Sequence, residues 1–180
     1  GKPLNKHQLS SLPQSELEQK VEHYGKLVEQ SAKKIANNFD VIHAHDWMSF
    51  PAAMNLKKKT RKPMIAHIHS TEYDRIPTGL GSQYITHTEV EGMTFADKVI
   101  AVSFYTKHLL VKKYGINPNK IEVVHNGIFY QDYPNLKPLF AQKRPVVTFM
   151  GRLTMQKGPE YFLQLAKKII SKIPNCLFIV

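Results

Sequence analysis

"DVIHAHDW", residues 40–47, and "PMIAHIHSTEYD", residues 63–74, decide the fold. Each is a short apolar run that ends in an alternating pair of histidines followed by polar and acidic residues. Four more such runs follow: "DKVIAVS" (97–103), "KIEVVH" (120–125), "PVVTFM" (145–150) and "NCLFIV" (175–180). Most lack polar alternation, the pattern expected of strands buried on both faces of a parallel sheet. Upstream, residues 15–38 carry an apolar stripe of Leu17, Val21, Tyr24, Val28, Ala32 and Ile35 at spacings of four and three, with Ser15 and Glu18 placed as a capping box. Further helices are expected over 51–58, 83–94 and 103–115, the last capped by Ser103 and stopped by Gly115. Strand and helix alternate, so the expected fold is α/β: a Rossmann-like doubly wound parallel sheet.

The alternation breaks once, over residues 125–145, where three prolines interrupt any helical stripe. The expected organisation is a first domain over 1–133, a linker over 134–145, and the beginning of a second Rossmann-like domain over 146–180. That last stretch offers two strands and a helix from Pro159 to about Lys172, too little to close a core. The chain also opens in a polar segment, without the strand and glycine-rich loop that usually begin such a domain. Both ends are therefore expected to be incomplete.

With 180 residues, 42% of them hydrophobic, the chain can build one full core and part of another. The single cysteine, Cys176, excludes an intrachain disulfide, fits a reducing compartment and reads as a packed core thiol. No apolar stretch approaches the ~20 residues of a membrane span, and the N-terminus lacks a signal-peptide core, so a soluble, cytoplasmic protein is expected. Lysine and arginine number 25 against 14 acids, a net charge of +11. The densest run, "KKKTRK" (57–62), follows a helix whose carboxyl end cations suit, which favours a solvated surface over a nucleic-acid patch.

In a parallel sheet, ligands gather at the carboxyl ends of the strands. There lie His45 and Asp46, His69 to Asp74, Ser103, Asn126 and Gly127, and Gly151 and Arg152. The four histidines at 43, 45, 67 and 69 share strand faces, and both pairs point into one space if the strands are neighbours. Against a metal, His43 and His67 sit one step inside their strands, where neutral core histidines are commoner, and Asp46 follows at once where a metallo-hydrolase would place its further Asp-His. No metal is expected. In "MGRLTMQKGPEYF" (150–162), Arg152, Lys157 and a helix start at Pro159 converge where a diphosphate can sit. It is not a Walker A loop, because Lys157 precedes its glycine, and two surface cations beside a turn explain it equally well.

"HAHDW", "HIHSTEYDR", "ADKVIAVSFYTKHLL", "VVHNGI" and "FMGRLTMQKGPEYF" together resemble, in order and rough spacing, retaining glycosyltransferases of the GT-B fold, especially family 4 and the glycogen and starch synthases. The resemblance runs from Phe39 onward. It implies that His69 contacts the transferred sugar, that Asp46 hydrogen-bonds sugar hydroxyls, and that Asn126 and Gly127 form a turn beside the donor. It also implies that Gly151, Arg152 and Lys157 hold the donor diphosphate, with the two cations stabilising the leaving group, and that Glu72, Tyr73 and Asp74 touch sugar or acceptor. The implied donor is ADP- or UDP-glucose, the acceptor a glycan; no cofactor, metal or nucleic acid takes part. The family's glycine-rich loop and its later Glu-x7-Glu pair are absent from this chain, so the chain alone is expected to be inactive. The competing readings are a transferase acting on surface polysaccharide or lipid, and a non-catalytic phosphate- or nucleic-acid-binding α/β protein.

Overall fold

The computed structural model describes residues 14–35, 38–76, 81–128 and 144–180. The chain forms two compact units, Gly1–Asn126 and Gly127–Val180. Most of the expected linker, residues 134–143, lies outside the described residues.

The first unit runs α1 (Gln14–Lys33), β1 (Ile42–His45), α2 (Phe50–Thr60), β2 (Met64–Ile68), the one-turn α3 (Glu72–Arg75), α4 (Gln83–Phe95), β3 (Lys98–Ala101), α5 (Phe104–Tyr114) and β4 (Ile121–Val123). α1 already includes Gln14, so Ser15 lies inside the helix and not at its cap. Of its expected stripe, Leu17, Val21 and Ala32 are buried while Tyr24 and Ile35 are exposed. α5 starts and stops where its sequence dictates. The Ser103 hydroxyl accepts from the Thr106 amide at 3.0 Å, and Gly115 closes the helix at φ 68°.

The four strands are parallel, in the order β1-β2-β3-β4. Ile42 lies opposite Met64, Ala44 opposite Ala66, Ala66 opposite Val99 and Val99 opposite Ile121, and all of these are buried. The alternate residues line the other face, with His43 opposite Ile65, His45 opposite His67, His67 opposite Ile100 and Ile100 opposite Glu122. There His43, His45 and Glu122 are exposed, and His67 and Ile100 half-buried. Among the described residues, helices cover the sheet on one face. The cause is handedness. Each right-handed crossover advances one strand in the same direction, so α2, α4 and α5 collect on the same side.

The core beneath those helices centres on Phe50, Met64, Ile68, Met93, Val99, Leu110 and Ile121, each 1% exposed or less. Burying each such side chain stabilises by about 1.5–3 kcal/mol. α2 ends at Arg61, whose φ of 57° lets its amide reach the Lys57 carbonyl at 2.8 Å. The basic run that follows the core side of α2 is largely paired. Lys57 donates to Asp97 at 2.8 Å, Lys59 pairs with Glu29, and Lys62 lies 3.9 Å from Asp40.

The second unit holds β5 (Val146–Thr148), α6 (Pro159–Ile170) and β6 (Leu177–Ile179), with β5 and β6 parallel. Phe149, Phe162 and Phe178 pack together, while Tyr161, Leu163, Leu165 and Ile170 of α6 stay exposed. Cys176 is free and only half-buried, not a core thiol. Among the described residues no helix is long and apolar enough to cross a membrane.

Two glycines give opposite expectations. A methyl group on Gly92 would stand 2.2 Å from the ring of the fully buried Phe50, which has nowhere to move, so Gly92→Ala should destabilise by about 1–3 kcal/mol or more. On Gly25 the nearest atoms stand at 4.0 Å, so Gly25→Ala should stabilise α1 by about 0.5–1 kcal/mol. Urea unfolding of both variants checks this. A third expectation concerns pH. Hydrogen bonds from Lys57 and from the Met64 amide hold the Asp97 carboxyl below the ordinary aspartate range. The unfolded chain then takes up the proton first, so this contribution is present above about pH 4 and lost as pH falls through the lowered value. The stability gap between wild type and Asp97→Asn, about 1 kcal/mol or less at neutral pH, should close on acidification in denaturant titrations.

Candidate functional site

The ends of β1 and β2 are tied together by Asp46. Its amide donates to the His67 carbonyl at 2.9 Å, continuing the sheet by one bond, and its backbone then turns at φ 59°. With ψ at 167° this is a region that only glycine adopts freely, and it costs an ordinary residue about 1–3 kcal/mol. It swings the carboxylate inward, where Oδ1 accepts from the amides of His69 at 2.8 Å and Ser70 at 3.4 Å. Ser49 Oγ donates to the carbonyls of His45 and Asp46, fixing the turn, and buried Trp47 packs edge-on to Tyr84. The structure thus joins Asp46 to His69, two residues singled out by sequence, through the backbone of the second.

Above this turn the four histidines form a ladder. His43 Nε2 meets His67 Nδ1 at 3.1 Å and His45 Nδ1 meets His69 Nε2 at 2.9 Å. The rings stack, His43 on His45 at 4.4 Å between centroids and His67 on His69 at 4.3 Å. His43 and His69 are exposed and His67 half-buried, which corrects the expectation that His43 and His67 are core residues. Burial, then the neighbouring imidazoles, lowers His67 to about 4, and the same causes lower His43. Both rings are therefore neutral at pH 7. His67 Nε2 is buried without a hydrogen-bond partner among the described residues.

The segment after His69 is braced by charge. Thr71 and Asp74 form a capping box on α3, each side chain bonding the other's amide. Glu72 is buried, its oxygens accepting from Arg75 Nε at 3.0 Å and from the Ser82 amide at 2.9 Å. Arg75 also donates to Glu89 at 2.7 Å, and Glu89, on α4, accepts in addition from the Glu72 amide and the Tyr114 hydroxyl. Burial pushes the Glu89 carboxyl up. Burial alone would lower Arg75, but Glu89 and Glu72 outweigh it and raise it. Burial and then Glu89 raise the Tyr114 phenol, which keeps its proton as a donor. Glu72 and Asp74, candidate sugar contacts from sequence, thus hold the loop, and Tyr73 packs edge-on to Tyr114 at 5.4 Å. Sequence reading missed Glu89, Arg75 and Tyr114. The available signal was Glu89 itself, an acid on the helix face shared by Ile85, Gly92 and Met93.

Asn126 and Gly127 follow β4 in the open, where a Cβ on Gly127 would touch nothing. In the second unit the Lys157 stem lies along Gly151, its Cγ 3.7 Å from where a Cβ would stand. Gly158 then turns at φ 64° and Pro159 opens α6. Arg152 and Lys157 are both exposed, hung on a short turn that bonds Thr154 N to Arg152 O at 2.8 Å and Lys157 N to Thr154 O at 2.9 Å. The unit thus offers two solvated cations and the first-turn amides of a helix of 12 residues, a setting suited to anions.

Glycosyltransferase Family 4 matches residues 12–130 of this chain. An uncharacterized glycosyltransferase of Methanocaldococcus jannaschii is 30% identical over 164 residues, covering 81% of this chain and 42% of that protein. A glycogen synthase of Mycobacterium tuberculosis is 30% identical over 127 residues, covering 66% of this chain and 30% of its own length. Among solved structures, Anabaena HepE in complex with UDP-glucose aligns with a TM-score of 0.58 at 17% identity, over 84% of this chain and 50% of that one. The chain spans half the length or less of these relatives. The fold they share with it is Rossmann-like GT-B.

The brace makes the site's stability depend on a residue that touches none of the strand ends. Glu89→Ala leaves Arg75, the Glu72 amide and the Tyr114 hydroxyl without their shared acceptor, and should cost about 3–5 kcal/mol in urea unfolding. Glu89→Gln, which keeps an acceptor oxygen, should cost clearly less.

Proposed function

The chain belongs to glycosyltransferase family 4, and from that premise we propose that the protein carrying it is a retaining hexosyltransferase. It moves glucose from UDP- or ADP-glucose to a glycan, as a glycogen synthase does. The reading is supported by the match to a glycogen synthase and by the UDP-glucose bound to HepE. The single observation that carries it is the cation pair Arg152 and Lys157 beside the start of α6, in the unit that follows the family match.

The chemistry needs no metal. When the nucleoside diphosphate leaves, negative charge grows on phosphate oxygens, and cations fixed nearby lower the barrier by stabilising that charge more in the transition state than in the ground state. Arg152 supplies a forked donor and Lys157 a point charge whose stem runs alongside Gly151. The anomeric carbon meanwhile becomes electron-poor, so the sugar must be oriented and shielded from water. His69 takes that role in the first unit, with its imidazole held by His45 and its backbone by Asp46. An imidazole suits it, because its ring nitrogens can hydrogen-bond and so orient sugar hydroxyls. Asn126 and Gly127 lie beside the donor, and Glu72, Tyr73 and Asp74 shape the loop that faces sugar or acceptor. Retention follows from attack on the face that the diphosphate leaves, with its oxygen accepting the acceptor's proton.

The test is transfer of radiolabelled glucose by the longest gene product that carries this chain. Arg152→Ala and Lys157→Ala should each lower kcat/KM by about 100-fold or more. Unfolding should move by no more than about 0.5 kcal/mol, since both side chains are exposed. His69→Ala should lower kcat at little cost to folding. Turnover indifferent to both cations would overturn the assignment, and a protein that only binds phosphate would show salt-sensitive affinity and no transfer.

A further inference from the structure

We propose that His43, His45 and His67 form a binding site for a divalent late-transition-metal ion, zinc fitting best, on the face of the first unit's sheet that carries no helix among the described residues. The three side chains can each offer one ring nitrogen, and these nitrogens all lie within 4.8 Å of one another. Topology puts them there. His43 and His45 are two residues apart on β1 and so share a face, and the parallel register sets His67 of β2 directly opposite His45.

A tetrahedral zinc centre with Zn–N bonds of about 2.0–2.1 Å needs its ligand nitrogens about 3.4 Å apart. His43 Nε2 and His67 Nδ1 already stand at 3.1 Å. His45 is exposed, stacked on His43 and bonded to His69, and its ring turns from His69 to complete the site.

The donor set selects the ion. Three imidazoles, with neither thiolate nor carboxylate among them, suit zinc, nickel or copper and disfavour magnesium and calcium, which want oxygen. Three protein ligands leave a fourth position open to water. The expectation of no metal rested in part on His43 and His67 being core residues, and the exposure of His43 removes that part. No sugar-transfer step passes through this ion, but His45 also holds His69, so metal uptake and not turnover decides the site.

The test titrates tag-free chain with zinc chloride in a non-chelating buffer at neutral pH by calorimetry, and records the visible spectrum with cobalt(II) in its place. One ion per chain should bind, and His43→Asn and His45→Asn should each weaken it about tenfold or more. Both residues are exposed, so loss of binding will not reflect unfolding, which circular dichroism confirms. His67→Asn should act likewise, whereas His108→Asn and His23→Asn, exposed histidines elsewhere on the unit, should leave binding unchanged. Cobalt should give the intense visible bands of a low-coordinate nitrogen site. Absence of one-to-one uptake would overturn the proposal, and so would uptake that survives replacement of His43 and His45 together or that falls equally with His108→Asn.

Discussion

The hydrogen bond from the His69 amide to the buried carboxylate of Asp46 is the interaction on which the strand-end site depends. It joins the end of β1 to the end of β2 one step beyond the last ladder pair, and it carries the chain into the braced loop. Forming it requires Asp46 to adopt a φ of 59°, a conformation that glycine adopts freely but in which glycine would bring no carboxylate. Aspartate supplies a short charged acceptor there, and its two amide hydrogen bonds offset the strain of a backbone region that only glycine adopts freely. Its role is thereby positional: it fixes where His69 begins, and His45 fixes where that imidazole points.

The loop that follows is held by a different means. Glu72, Arg75, Glu89 and Tyr114 bring two carboxylates, one guanidinium and a phenol into a nearly dry space. Such a network rarely adds net stability over an apolar core, since desolvating its charges costs several kcal/mol each. It gives directionality instead. Apolar packing would let α3 slide against α4 and α5, whereas the guanidinium fork of Arg75 meets Glu72 and Glu89 in one geometry only.

The positions of the strands and the ends of α5 were legible because each follows from local chemistry. Short apolar runs bounded by turn residues mark strands, Ser103 accepts the Thr106 amide, and Gly115 takes the left-handed cap. One-sided burial was not legible from the runs themselves. Ile42, Ala44 and Ala66 look alike whether one face or two are covered, and the difference lies in the direction in which successive strands are added. At the site, Asp46 and His69 were found as types, but their connection through a backbone amide leaves no trace in side-chain spacing. Glu72 and Asp74 looked like surface acids beside a pocket, because the partner that buries one of them, Arg75, is recruited jointly with Glu89 from 14 residues downstream.

The two units place their polar groups under opposite conditions, and the physics of each group explains why. A hydrogen bond is directional and weakens steeply at poor angles, so a group that makes directional contacts is best held by buried scaffolding. His69 is held by such a scaffold through Asp46 and His45. Coulomb attraction falls only as the inverse of distance, and a flexible cation can find a phosphate oxygen from a solvated turn. Arg152 and Lys157 hang from such a turn, with glycines at 151 and 158 permitting it. Solvation weakens those cations until water is displaced, so their effect on charge is greatest when a bulky anion covers them. A diphosphate, carrying several charges and broad enough to touch the fork, the ammonium and the amides of α6 together, meets that requirement better than a single phosphate.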